Sequence, residues 1–300
     1  MAWWWYVAVL LVVIIGAIYA TLIALEDYFL LHPTVCDTYL AFDDSMVDYF
    51  HLRSGALLLH CRCSQPDTVK RRPIMCLHGN AGNLDGMANL ARTLGERGYS
   101  VYLLEPAGYG VCSRRHAGDQ KKIAPTTDSL VRDLHEAWAA LSKQDRSECI
   151  LTGFSMGGGV ICQFLTTVDV EDFPAQIVLI NTFYDLPTLI SQVFPFPVVS
   201  TLMHTKWNAT KGLERYCANR LATVTIVATL DDELIPMDHS KKLMESIRDT
   251  HTRRELIILP NGGHNNAAEP HFALWLPSLL PPIPTPTPTN LPTDLPTNLK

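Results

Sequence analysis

Cys149-Ile150-Leu151-Thr152-Gly153-Phe154-Ser155-Met156-Gly157-Gly158-Gly159-Val160-Ile161-Cys162 is the stretch that decides the reading of this chain. An apolar run enters Gly153-x-Ser155-x-Gly157, and a second run leaves it through glycines and aliphatics. Strand, sharp turn, helix is the setting that lifts a serine above the edge of a parallel sheet. Residues two before and two after such a serine must lack bulk, because strand and helix close together there. The plainer alternative is an ordinary glycine-rich turn.

A serine hydroxyl attacks poorly until a histidine takes its proton and an acid orients that histidine. In the expected order Ser…Asp…His, both partners follow later strands. The strand-like Thr223–Thr229 ends at Leu230-Asp231-Asp232-Glu233, and Glu255–Leu259 ends at Pro260-Asn261-Gly262-Gly263-His264. His264 is the expected base; His239, His251 and His271 fall in or beside helices. Periodicity does not choose between Asp231 and Asp232, and Asp185 after Gln176–Asn181 is a third candidate. The oxyanion hole is expected from the backbone N–H of Met156, with a second donor at Asn80 in His78-Gly79-Asn80-Ala81-Gly82.

Outward from this centre, strand-like and helix-like segments alternate. Pro73–Leu77 and Ser100–Glu105 read as strands, as do Cys149–Phe154, Gln176–Asn181, Thr223–Thr229 and Glu255–Leu259. Leu84–Arg97, Thr126–Ser142, Gly157–Thr167, Met237–Arg248 and Ala267–Leu280 read as helices. Such alternation predicts an α/β fold, a mostly parallel sheet covered on both faces. Residues 46–280 suffice for one such domain.

The chain opens differently. Trp3 through Leu25 carries no charge. As a helix it would reach about 34 Å, enough for a hydrocarbon core of about 30 Å. Trp3, Trp4, Trp5 and Tyr6 stand at one end, Tyr28 and Phe29 at the other, as interfacial rings do. A cleaved signal peptide is the rival, but no Lys or Arg precedes the run and its apolar part is too long. A buried core helix is the third reading. A two-residue stub before Trp3 is easily left in the cytosol, which puts the body on the lumenal or extracellular side of a single-pass membrane protein. The sequon Asn208-Ala209-Thr210 fits that side.

The net charge is −6, and six acids precede the first basic residue, Arg53. The rest of the chain is neutral, which argues against nucleic acid as a partner. The eight cysteines show no C-x-x-C and no paired Cys/His spacing, so a zinc site is not expected and buried free thiols are. Residues 26–45 read as a juxtamembrane connector and 281–300 as a disordered Pro/Thr-rich tail, with a Pro-rich ligand or a glycosylated stalk as alternatives.

The motifs together resemble the α/β-hydrolase superfamily, and within it the membrane-anchored α/β-hydrolase domain proteins, related to serine aminopeptidase-like hydrolases and depalmitoylases. The matching text is His78-Gly79-Asn80-Ala81-Gly82-Asn83, Gly108-Tyr109-Gly110, Gly153-Phe154-Ser155-Met156-Gly157-Gly158, Asn181-Thr182-Phe183, Asp232-Glu233-Leu234-Ile235-Pro236 and Gly263-His264-Asn265. The resemblance covers about residues 46–280. It implies an α/β-hydrolase fold with a small cap, here 183–221, after one transmembrane helix. It places the acid four residues before Pro236, at Asp232, and makes Ser155, Asp232 and His264 the catalytic triad. It implies a serine hydrolase of esters or thioesters, lipid or acyl-protein substrates among them, with no cofactor and no metal. A peptidase of the same fold and a non-catalytic tethered module are the rivals. Where the family has Asp-Tyr-Arg before Gly-Tyr-Gly, this chain has Glu105-Pro106-Ala107, which removes an expected ion pair near the site. The cap segment is rich in Leu189, Ile190, Val193, Phe194, Phe196, Val198, Val199, Leu202, Met203 and Trp207. It reads equally as an acyl-chain pocket or as core.

Overall fold

The computed structural model describes residues 2–61, 71–113, 122–193, 197–218, 222–248, 251–266 and 269–281. The Pro/Thr-rich tail beyond Pro281, Cys63, Phe194 and Phe196 lie outside the described residues, as do the side chains of Pro197 and Val198. Helix α1 (Ala2–Leu30) comes first. It does not stop at Leu25 but runs on through Leu30 into the segment expected to be connector.

Eight strands form one sheet among the described residues: β1 (Val47–His51), β2 (Leu57–Cys61), β3 (Arg72–Leu77), β4 (Tyr99–Glu105), β5 (Ile150–Phe154), β6 (Gln176–Ile180), β7 (Thr223–Thr229) and β8 (Arg253–Leu259). Their order is β1-β2-β4-β3-β5-β6-β7-β8. The first two pairings, β1 with β2 and β2 with β4, are antiparallel, and the rest are parallel. β6 is buried at every position, its apolar run Ile177–Ile180 entered through a hydrogen-bonded Gln176, whereas the edge strands β1 and β8 expose successive residues.

The connecting helices are α2 (Ala88–Glu96), α3 (Thr127–Ala140), α4 (Lys143–Glu148), α5 (Met156–Thr167), α6 (Leu186–Val193), α7 (Pro197–Leu202), α8 (Ala209–Ala218), α9 (Met237–Ser246) and α10 (Phe272–Trp275). Helix α3 starts at a reciprocal capping box, in which Thr126 and Ser129 each bond the other's backbone N–H. Two apolar cores line the sheet. One gathers α3, α5, α8 and α9 with Leu31. The other gathers α2 and Trp275 of α10.

The sequence reading needs three corrections. The helix expected over 267–280 is instead a 3-10 turn at Glu269–His271, the short α10 and a second 3-10 turn at Leu276–Ser278. Pro270 and Pro277 withhold the N–H groups a continuous helix needs. The helix expected from Leu84 begins as a 3-10 turn, Leu84–Met87, before α2. Strands β1 and β2 and helix α4 are found in addition. The apolar cap residues divide. Leu189, Ile190, Met203 and Trp207 are buried in the core, while Val193, Val199 and Leu202 are exposed.

Candidate active site

Ser155 stands between β5 and α5 with φ 52° and ψ −114°, a backbone conformation that side chains rarely adopt. The glycines around it are steric necessities. A Cβ on Gly153 would lie 2.5 Å from the Gly158 nitrogen, and one on Gly157 would lie 2.6 Å from the His78 carbonyl oxygen. Ser155 N–H is fixed by Ile180 O on the neighbouring strand at 2.8 Å.

His264 reaches Ser155 from the loop after β8. Its Nε2 lies 2.9 Å from Ser155 Oγ, and its Nδ1 lies 2.8 Å from Asp232 Oδ2. An ionised carboxylate only accepts, so Nδ1–H donates to Asp232 and Nε2 is left to accept the serine proton. The free Asp232 oxygen, Oδ1, takes the N–H groups of Leu234 and Ile235 at 2.9 and 2.7 Å. The histidine and aspartate side chains are 5% and 1% exposed, a dry setting that strengthens each bond.

Asp231 does other work. Its carboxylate accepts from the N–H groups of Gly262 and Gly263, while Glu233 accepts from His264 N–H. These two acids hold the histidine loop and leave the imidazole to Asp232. Asp185, the third acid considered, bonds the N–H and hydroxyl of Thr188 and does not meet His264.

Asn181, quoted above for its resemblance alone, locks the same loop. It sits at φ 45°, accepts from Thr229 N–H, and gives its amide to the carbonyls of Gly263 and His264. A polar residue directly after the apolar run Ile177–Ile180 is the available signal.

Met156 provides the first amide of α5, where a helix leaves its N–H groups without an internal partner. Asn80 faces it across a small cavity of about 20 Å³ lined also by His78, Gly79 and Tyr109, room for about one water. The Asn80 side chain is spent elsewhere. Its Nδ2 donates to Leu30 O, and its Oδ1 accepts from His32 N–H and Tyr109 O–H. Only its backbone N–H remains to serve an oxyanion.

With Ala107 where the family has arginine, Glu105 takes a different partner, His78. Fully buried Glu105 lies 2.8 Å from His78 Nε2 and also accepts from Tyr39 O–H and Leu84 N–H. Burial by itself lowers the His78 pKa, but the bond to Glu105, its charge, and the Gly79 carbonyl at Nδ1 together raise it. His78, held at both ring nitrogens, thus clamps the turn that carries Asn80.

A cavity of about 790 Å³ lies between residues 41–47 and α2 and touches none of these groups. Among the described residues, no group of three or more His, Cys, Asp and Glu side chains converges to hold a metal. The described cysteines are all free thiols.

Residues 68–219 match the family described as serine aminopeptidase, S33. The chain belongs to that family. It is thereby a member of the α/β-hydrolase superfamily, as its strand order and elbow require. The uncharacterized protein R595 of Acanthamoeba polyphaga mimivirus is 25% identical over 68% of this chain and 70% of its own length. An acylaminoacyl peptidase bound to Z-Gly-Gly-Phe-chloromethyl ketone superposes with TM-score 0.53 at 16% identity, covering 74% of this chain. The chain spans only 38% of that peptidase. The thioesterase domain of the curacin biosynthetic pathway superposes with TM-score 0.52 at 13% identity, over 78% of this chain and 98% of the domain. At such identities these structures share the fold with this chain, and nothing finer is carried across.

Proposed function

We propose that this protein is a membrane-anchored serine hydrolase that cleaves carboxylic esters or thioesters through an acyl-enzyme. The observation that carries the reading is the continuous hydrogen-bonded path from Ser155 through His264 to Asp232 at a strained elbow.

Ser155 Oγ attacks the acyl carbon while His264 Nε2 takes its proton. The carbonyl oxygen becomes an oxyanion received by the N–H groups of Met156 and Asn80, at the positive end of α5. Asp232 stabilises the imidazolium. His264 then gives its proton to the departing alcohol or thiol, leaving Ser155 acylated. A water, deprotonated by the same nitrogen, releases the carboxylic acid and restores the serine.

Helix α1 supports the anchor. Trp3–Leu30 is long and apolar enough to cross a bilayer, and its most apolar window is not buried against the body.

A fluorophosphonate probe should label the full-length protein and fail on Ser155→Ala, whose turnover should fall by about 10⁶-fold. Undiminished labelling of the variant removes Ser155 from the mechanism. A panel of esters, thioesters and peptides then ranks the chemistries, and alkaline carbonate should leave the protein in the membrane pellet.

A further inference from the structure

No step of the mechanism above uses His78, yet both of its ring nitrogens are bonded. Its side chain is 6% exposed and that of Glu105 is 0% exposed. Nε2 lies 2.8 Å from Glu105 Oε1, and Nδ1 lies 2.7 Å from Gly79 O. A carbonyl oxygen only accepts. Glu105 Oε2 already takes Tyr39 O–H at 2.7 Å and Leu84 N–H at 3.1 Å, the bonds of an ionised carboxylate. Two acceptors therefore face the two nitrogens, and only an imidazolium donates from both. A neutral ring would turn a lone pair on Glu105 or on Gly79, depending on its tautomer.

The bond to Gly79 matters because of what stands at the other end of the same peptide group. Gly79 C=O and Asn80 N–H belong to one planar trans peptide, so they point in opposite directions. A donor that holds the carbonyl on one side fixes the aim of the N–H on the other. Gly82 N–H bonds the same oxygen at 3.1 Å and closes the turn over the ring, where a Cβ on Gly82 would lie 3.0 Å from Nδ1. A charged donor also draws electron density onto the carbonyl oxygen, which makes the N–H of that peptide a stronger donor.

We propose that His78 is a buried imidazolium that aims and polarises the Asn80 N–H, a positioning residue for the oxyanion with Glu105 as its counter-ion. The inference rests on the serine-hydrolase reading and deepens it. Two histidines then serve one site in opposite states: His264 must be neutral to take the serine proton, and His78 must be charged.

The surroundings fit a charged ring. Against burial, which favours the neutral form, the Glu105 bond and charge and the Gly79 carbonyl hold the His78 pKa above its ordinary value. Tyr109, whose ring centroid lies 5.3 Å from that of His78, and Tyr39 are kept protonated by burial and by the Glu105 charge. The thiols of Cys36 and Cys112, which also feel Glu105, are held protonated in the same way. Asp85, on the turn after β3, accepts the N–H groups of Leu40 and Ala41. Helices α3 and α5 bring Leu130, Met156 and Val160 to the cavity, and none of these titrates. The contribution of the turn to catalysis is thus present while His78 is protonated and declines as pH rises through its folded pKa.

Two measurements on the full-length protein in detergent micelles test this. With both ring nitrogens of histidine isotopically labelled, one pair of resonances should vanish in His78→Gln and shift in Glu105→Gln. Near neutral pH that pair should be two protonated nitrogens. One protonated and one bare nitrogen overturns the proposal, wherever the missing proton has gone. The second measurement follows kcat on a water-soluble ester against pH. Glu105→Gln keeps an acceptor for Nε2 but removes the charge, so the alkaline fall in kcat should move toward acid by about one pH unit or more. KM and the acid limb should stay as in wild type. Glu105→Asp keeps the charge and should keep the alkaline fall in its wild-type place, even at a lower kcat. A merely structural role would lower kcat equally at every pH; that uniform loss, or an alkaline limb that does not move, overturns the proposal. If the wild type cleaves no ester at all, the serine-hydrolase reading is what fails, whereas a neutral ring in an active enzyme overturns this inference alone.

Discussion

On the β5–β8 side of the candidate site, the bonds that fix the proposed triad come from loops that follow neighbouring strands. Asp232 and Asp231 follow β7, His264 and its glycines follow β8, and Asn181 after β6 ties both loops together. On the β3–β4 side, the oxyanion turn is held from far away in the chain. Asn80 is bonded by residues 48 and 50 positions distant, at the exit of α1. Beside it, His78 is clamped by Glu105 at the end of β4, which is in turn bonded by Tyr39. One half of the proposed site is assembled by the sheet itself. The other is held by bonds from the exit of the N-terminal helix, so the docking of α1 on the body is part of how that half is built.

The largest effect expected lies in the sheet-built half. Asp232→Asn should lower kcat about 10⁴-fold with little change in KM, because the imidazole loses the partner that fixes its tautomer. Asp231→Asn weakens only the hold on Gly262 and Gly263 and should cost a few-fold. Steady-state kinetics on one soluble ester separates them, and a crippled Asp231→Asn beside a near-normal Asp232→Asn would reverse the assignment.

The half held by the exit of α1 should fail more gently. Asn80→Ala keeps its own backbone N–H but releases Leu30, His32 and Tyr109. Loss of an oxyanion donor costs about 10²–10³, and a donor displaced but not deleted should cost about 10- to 100-fold in kcat. A boronic acid that mimics the tetrahedral intermediate should lose affinity in step, while KM stays near wild type. A kcat within about two-fold of wild type would mean the joint is only a tether, and the contrast between the halves would disappear.

The same contrast explains what the sequence revealed. Ser155, Asp232 and His264 each follow directly on a strand with turn residues around them, so three local signals point to one sheet edge. Asp232 stood apart from Asp231 only by its distance to Pro236, and the bonds to Gly262 and Gly263 that occupy Asp231 are invisible to periodicity. The role of Asn80's side chain was illegible, since nothing near residue 80 announces Leu30 as its partner. Glu105 looked like a deficit against the family pattern, because only the folded chain brings His78 and Tyr39 to it. Beyond Ala267, apolar spacing suggested one helix where Pro270 and Pro277 break it, a case of periodicity outweighing a breaker that should have prevailed.

The smallest expected effect concerns His239 on α9, which pins the cap to the sheet-built half. Its Nδ1 accepts the N–H of Tyr184, where the cap begins, at 3.3 Å, and its Nε2 lies 2.8 Å from Gln192 Oε1 on α6. Both bonds are satisfied by a neutral ring donating through Nε2. Burial, helped by the Lys242 charge, pushes its pKa down to about 4 from an ordinary value of 6.5, against the opposing pull of Asp185, Asp238 and Asp232. The native state thus holds fewer protons than the unfolded chain between those two values. Stability from this group is present above pH 6.5, declines as pH falls, and is lost once pH passes below about 4. The slope through that window is one proton, about 1.4 kcal/mol per pH unit. His78 acts in the opposite sense. Its raised pKa gives stability that is present below 6.5 and lost as pH rises through the folded value, so it does not add to the acid-side decline. His239→Asn removes the titration, so its stability should fall less steeply than wild type between pH 6.5 and 4.5, even if it starts lower. Denaturant midpoints measured across that range in detergent give the two slopes. Parallel slopes would mean that His239 is not held neutral, and that the cap is pinned to the sheet by some contact that does not titrate.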